Sequence, residues 1–181
     1  MTDGGGSMQR RWLALGVVVL VAGCGGVDGA AVPQAAPDPW DPCSIPTEAI
    51  AATGLGTEVV EAGWGEGISM PDWERCLWQG PATDPWYYFG VLRSASISIE
   101  ELRADPQVAD AADINIEDRR AVRFHTTIAK PSERCELALS TTGGLLRLYV
   151  SVAGGSVPRQ NPCDVVVRHA EDLLPNFPSK P

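Results

Sequence analysis

Four cysteines constrain this chain more than any other feature. Cys43, Cys76, Cys135 and Cys163 are spread along its sequence, and none belongs to a Cys-x-x-Cys pair. The spacings of zinc sites and of thioredoxin-like redox motifs are therefore missing, and no metal or cofactor is expected. An even set of this kind in an exported chain reads as two disulfides. Whether the chain is exported is thus the first question.

Arg10 and Arg11 precede an apolar run from Trp12 to Ala22, the charged n-region and short h-region of a secretory signal. The run is too short to span the membrane as a helix, which takes ~20 apolar residues. It ends in Val21-Ala22-Gly23-Cys24, which resembles the bacterial lipobox, where small residues give a peptidase access beside the cysteine that is diacylated. The expectation is a signal peptide over 1–23, lipidation of Cys24 and a Gly-, Ala- and Pro-rich tether over 24–40. Met8 opens a tidier signal than Met1, so translation starts at one or the other. Two or more acyl chains anchor a protein stably, at about 0.8 kcal/mol per buried CH₂, which places this one on the outer face of the plasma membrane.

Residues 41–181 are then one domain of a size that buries roughly 68–70% of its unfolded surface, in keeping with a hydrophobic content of 44%. The net charge is −9; loss of Arg10, Arg11 and Asp3 with the signal makes the mature chain more negative still. That sign excludes nucleic acid, whose phosphates call for Lys and Arg clusters. It also argues against docking on anionic headgroups.

Two echoes place the cysteines. Asp41-Pro42-Cys43 and Asn161-Pro162-Cys163 each read as a helix start, with an Asx acceptor for early N–H groups and Pro in the first turn. Glu74-Arg75-Cys76-Leu77-Trp78 and Glu133-Arg134-Cys135-Glu136-Leu137 each put a cysteine in a strand. This order favours Cys43 with Cys76 and Cys135 with Cys163, closing loops of about 30 residues at ~3–4 kcal/mol each. Pairing helix start with helix start and strand with strand is the rival, and the sequence leaves it open.

The remaining pattern gives a helix over 47–53 stopped by Gly54. A capping box, Ser98-Ile99-Glu100-Glu101, opens a short helix that ends before Pro106. A last helix from Cys163 to Leu174 puts Val166, Val167, Ala170 and Leu173 on one face. Between them the period is two. Val122, Phe124, Thr126 and Ile128 lie opposite Ala121, Arg123, His125 and Thr127, and Leu137 and Leu139 lead through a turn at 141–144 to Leu146, Leu148, Val150 and Val152. Residues 86–92 are apolar on both faces. The expected fold is α+β: a single domain with an antiparallel sheet packed with helices, stapled by two disulfides.

This layout resembles the actinobacterial envelope lipoproteins of mycobacteria, nocardiae and their relatives that are grouped under a domain-of-unknown-function label. The residues that carry the resemblance are the lipobox, the Pro-rich tether, Asp41 to Gly56, the Cys-x-Trp of Cys76 and Trp78, and the late cysteines Cys135 and Cys163. It covers nearly the whole mature chain. The sequence departs in having Ile45-Pro46-Thr47 where relatives often show a longer Leu-Leu-Thr-Pro lead-in. The resemblance implies an exported, membrane-anchored, disulfide-bonded domain, and it brings no catalytic residues with it.

A nucleophilic triad needs a base, and the histidines are His125 and His169. His169 falls between apolar positions of the last helix and reads as packed or solvated; His125 sits on a polar strand face as a possible binding residue. Gly-x-Ser-x-Gly is missing, and the Gly-rich pieces 54–56 and 63–67 lack a dinucleotide fingerprint. The acids Asp105, Asp110, Asp113, Glu117 and Asp118 miss the EF-hand spacing and read as a solvated loop. Trp64 and Trp73 either fold back over the sheet or, exposed together, form a patch for a partner or a lipid. The expectation is a non-enzymatic envelope lipoprotein that binds a protein or cell-wall component. The alternative is a carrier or sensor of an apolar small molecule, which calls for an apolar internal cavity above roughly 300 Å³.

Overall fold

A computed structural model describes residues 39–181. The stretch read as a signal peptide, Cys24 and nearly all of the stretch read as a tether lie outside the described residues. The N-terminal elements are a 3₁₀ turn, Pro42–Ser44, and helix α1, Thr47–Ala52. Asp41 Oδ1 accepts from Cys43 N at 2.8 Å, so the Asx-Pro signal is real, but it caps the 3₁₀ turn. The helix itself begins only after Pro46 and has no side-chain cap. Gly54, at φ 80°, ends it in the left-handed conformation, as expected.

The sheet is built from β1 Glu61–Ala62, β2 Glu74–Gly80, β3 Tyr87–Ser94, β4 Val108–Ile116, β5 Arg119–Thr126, β6 Arg134–Thr141 and β7 Gly144–Val152. Its order is β1-β2-β3-β7-β6-β5-β4, with all neighbours antiparallel. It consists of the hairpin β2-β3 and the meander β4 to β7, whose last strand returns to pair with β3. Helix α2, Ile99–Ala104, crosses between the two parts and carries the complete capping box of Ser98 and Glu101. Helix α3, Pro162–Leu173, follows the meander, with Asn161 Oδ1 accepting from Cys163 N at 2.9 Å.

The period-two alternation sorts side chains onto two faces. One face carries the main core: Cys76, Trp78, Phe89, Val91, Leu137, Leu139, Leu146, Leu148 and Val150, covered by α1 and α3. On the other face Val122, Phe124, Ala138 and Leu145 pack with Leu102 of α2, and Leu77, Leu92 and Tyr149 pack with Trp64 and Trp73. β3 is accordingly buried on both sides, as its unbroken apolar run requires. The two disulfides are Cys43–Cys76 and Cys135–Cys163. Each ties a segment covering the main core face to a strand beneath it, which settles the connectivity that the sequence left open.

Three expectations need correction. The acidic stretch read as a loop is largely strand β4, with Asp110 (φ 54°) within the register shift between Ala109 and Ala112. Its acids occupy the exposed side of an edge strand, so their charge hid the alternation of Ile114 and Ile116. On β5 the split of Val122 and Phe124 from Ala121 is as expected, but the strand ends at Thr126, and Ile128 lies beyond it, 67% exposed. In α3 the buried stripe is Val165, Val166, His169, Ala170 and Leu173, with Val167 only half-buried.

Candidate functional site

The structure does not bring Trp64, Trp73 and His125 together. His125 is on the α3 side of the sheet, and the tryptophans are on the opposite face. Trp64 and Trp73 do meet each other: Trp64 Nε1 donates to the Trp73 carbonyl at 3.1 Å. Both are half-buried against Leu77, Leu92 and Tyr149. They fold back over the sheet, the first of the two arrangements the sequence allowed. The Arg75 guanidinium lies 4.4 Å from the Trp64 ring centroid and pairs with Glu61 at 2.7 Å. Exposed apolar surface in this segment comes instead from Val59, Val60, Ile68 and Met70.

Next to the tryptophans, on the same face, lies Glu136, whose side chain is fully buried. Arg134 Nε donates to its Oε1 at 2.6 Å, and Arg147 Nε donates to its Oε2. Arg134 also stacks 3.9 Å over Tyr149, so each member of the triad is held by charge and by packing. A buried carboxylate survives only with such compensation. The group is locked, and its role is to fix the register of β6 and β7.

The second histidine is deeper still. His169 Nε2 and the Tyr87 hydroxyl are 2.7 Å apart inside the main core, and His169 Nδ1 has no partner among the described residues. Burial, then the nearby Arg168 charge, lowers the His169 pKa to about 4; burial raises that of Tyr87 to about 12. Both groups are neutral at pH 7 and closed to solvent, which makes them a structural pair. The packed alternative for His169 is the one the structure takes.

His125 is different. Its Nδ1 lies 2.9 Å from the Arg134 carbonyl, which can only accept, so Nδ1 carries the proton and donates. Nε2 then sits 3.8 Å from Cys163 Sγ. These atoms line a cleft of about 670 Å³ between β5 and the start of α3, with Arg123, Ser132, Arg159 and Asp164. His125, Cys135 and Cys163 place one nitrogen and two sulfurs within 4.8 Å of one another. Both sulfurs are spent in the disulfide, so this trio is not a set of metal ligands; of the three, His125 and Cys163 line the cleft.

A second cleft, about 460 Å³, lies over β4 and β5. Its charges pair across it: Arg103 with Asp113, and Lys180 with Asp118. Asp105 accepts from Gln107 N at 2.8 Å. Asp113 and Asp118 thus serve as ion-pair partners and Asp105 as a turn partner. Charged residues line both of these clefts, whereas a third, of about 510 Å³ beside α1, is lined mainly by small and apolar residues such as Leu55, Val60, Pro81 and Pro85.

Sequence reasoning found His125 and its neighbour Arg123 but not Arg159 or Ser132. These lie in loops that come together only when α3 docks, and no local pattern marks them.

A family model described as a protein of unknown function, DUF3558, matches residues 19–176 of the chain. No curated protein and no solved structure matches it.

Proposed function

The chain belongs to the DUF3558 family of proteins of unknown function, and we propose that it works as a lipid-anchored lipoprotein of an actinobacterial cell envelope. In this reading residues 1–23 are removed as a signal and Cys24 carries the acyl chains. Residues 24–40 tether the domain 41–181 at the outer face of the plasma membrane, where it binds a protein or cell-wall component without chemical turnover.

The observation that carries the reading is the pair of disulfides, Cys43–Cys76 and Cys135–Cys163. Bridges of this kind persist in oxidising compartments, and they stand downstream of a sequence built like a lipoprotein signal. What favours binding over catalysis is the use made of titratable groups. Tyr87 and His169 are sealed in the core, and Glu136 is fixed between two arginines. His125 instead lines a solvent-open cleft together with Arg123, Ser132, Arg159 and Asp164.

The test is a native, non-reduced mass spectrum of the protein extracted gently from the membranes of cells that make it. The expected mass is that of a chain starting at Cys24, increased by its acyl groups and lowered by about four daltons for two disulfides. A chain with an unmodified Cys24 would overturn the anchoring. The Cys24→Ala variant is expected to move from the membrane fraction to the soluble one.

A further inference from the structure

We propose that the cleft between β5 and the start of α3 binds a compact oxyanion, a carboxylate or a phosphate carried by an envelope ligand, with Arg123 as its anchor. The inference deepens the binding reading above and takes from it only the place where the ligand is met.

The argument begins with a census of arginines. Six are half-buried among the described residues: Arg75, Arg93, Arg119, Arg123, Arg134 and Arg147. Arg75 pairs with Glu61, Arg93 with Glu74, and Arg134 and Arg147 with Glu136. Arg119 donates to the Pro178 carbonyl. Arg123 alone has no hydrogen-bond or ion-pair partner among the described residues, and its side chain lines the cleft. The chain holds 23 Asp and Glu against 14 Lys and Arg, so carboxylates are abundant. A half-buried guanidinium with no protein partner keeps only part of its hydration, and a bidentate oxyanion supplies the missing partners and matches the guanidinium fork.

The neighbours bound the site. Arg159 stands at the rim, where it pairs with the exposed Asp84 at 2.7 Å. His125 is held in place through Nδ1, so its Nε2 bears a lone pair and gives the anion no hydrogen bond; the ring is a wall of the cleft and a reporter beside Arg123. Asp164 is the one carboxylate in the lining, and it is exposed in the first turn of α3. The proposal does not draw on the helix end itself. Pro162 has no N–H, Asn161 takes the N–H of Cys163, and the next two N–H groups bond to the Asn161 carbonyl.

The experiment is a ¹H–¹⁵N titration of the intact, disulfide-bonded protein with sodium phosphate and, separately, sodium acetate, at fixed pH and ionic strength. Saturable shifts at the Arg123 Nε–H and the His125 ring are expected. Arg123→Gln should weaken the binding at least tenfold, whereas Arg120→Gln, an exposed arginine of the same strand that lines the other cleft, should leave it unchanged. Saturation by phosphate alone assigns a phosphate-bearing ligand; saturation by acetate alone assigns a carboxylate-bearing one. Linear, unsaturated shifts with both anions, or wild-type affinity in Arg123→Gln, would overturn the proposal. If Arg123→Gln gives no folded spectrum, Arg159→Gln carries the comparison, with a severalfold loss expected. An unmodified Cys24 would overturn the anchoring and leave this titration untouched, so the two readings fail separately.

Discussion

A buried histidine and a buried tyrosine make a residue-scale prediction with a definite sign. Burial holds the His169 pKa at about 4, whereas in the unfolded chain it is ~6.5. Between those values the unfolded state binds the extra proton, so stability falls as pH drops through this window and is fully present above it. The loss reaches roughly 3 kcal/mol by pH 4. Tyr87 acts at the other end: its pKa of about 12 lies above the unfolded ~10, so stability falls again as pH rises from 10 to 12. Carboxylates contribute to acid unfolding as well, so the decisive readout is the His169 ring itself by NMR. It should stay neutral down to pH 5, and a midpoint near 6.5 would show that the Tyr87–His169 pair is open to water.

At the scale of elements, the most informative position is Gly90 in the middle of β3. It stands opposite Tyr149 of β7, and a Cβ at Gly90 would lie 2.2 Å from the Tyr149 ring. The ring fills the space a side chain would take, and Arg134 stacks on the ring's other surroundings while bonding Glu136. Gly90→Ala should therefore destabilise the protein by about 1–3 kcal/mol in urea unfolding, although alanine is better than glycine in most strands. In a Tyr149→Ala background the same change should become neutral or stabilising; an equal cost in both backgrounds would mean that the ring is not the obstacle. This contact also shows what the sequence could and could not convey. The strand 86–92 was legible from its apolar run, and so were β2, β5, β6, β7 and the capped helices, because period and caps are local. The partner of Gly90 was not, since it depends on a strand sixty residues away in register. β4 was hidden for another reason: an edge strand with acids on its open side carries too few apolar residues to announce its alternation. The Trp64–Trp73 pair was visible, but which way it turned depended on the register of β2 against β3. At the cleft, His125 and Arg123 shared a visible strand face, while Arg159 and Ser132 arrived from loops.

For the whole molecule, the two disulfides close loops of nearly equal length, with sequence separations of 33 and 28. Chain entropy alone assigns them about 3–4 kcal/mol each. The structure says that losing them has different consequences. Helix α3 buries Val165, Val166, Ala170 and Leu173 against the sheet, and each such side chain contributes on the order of 1.5–3 kcal/mol. That burial is expected to keep it docked without Cys135–Cys163, so Cys135→Ala with Cys163→Ala should lower the global unfolding free energy while leaving the native exchange pattern intact. The N-terminal segment has less to hold it. Helix α1 spans six residues with one buried side chain, Ile50, flanked by Ile45 and Leu55, and a helix that short has no stability of its own. Cys43→Ala with Cys76→Ala should therefore release residues 42–55 as a unit that exchanges amide hydrogens ahead of the sheet. Hydrogen exchange read by mass spectrometry on the two double variants decides the matter. Uniform loss of protection in both would mean that the segment and the sheet unfold together, and that the bridge to β2 does not act as a local clamp. The clamp sits where the chain enters the described fold, so in the proposed anchored state a pull from the N-terminal side would meet the Cys43–Cys76 bridge first.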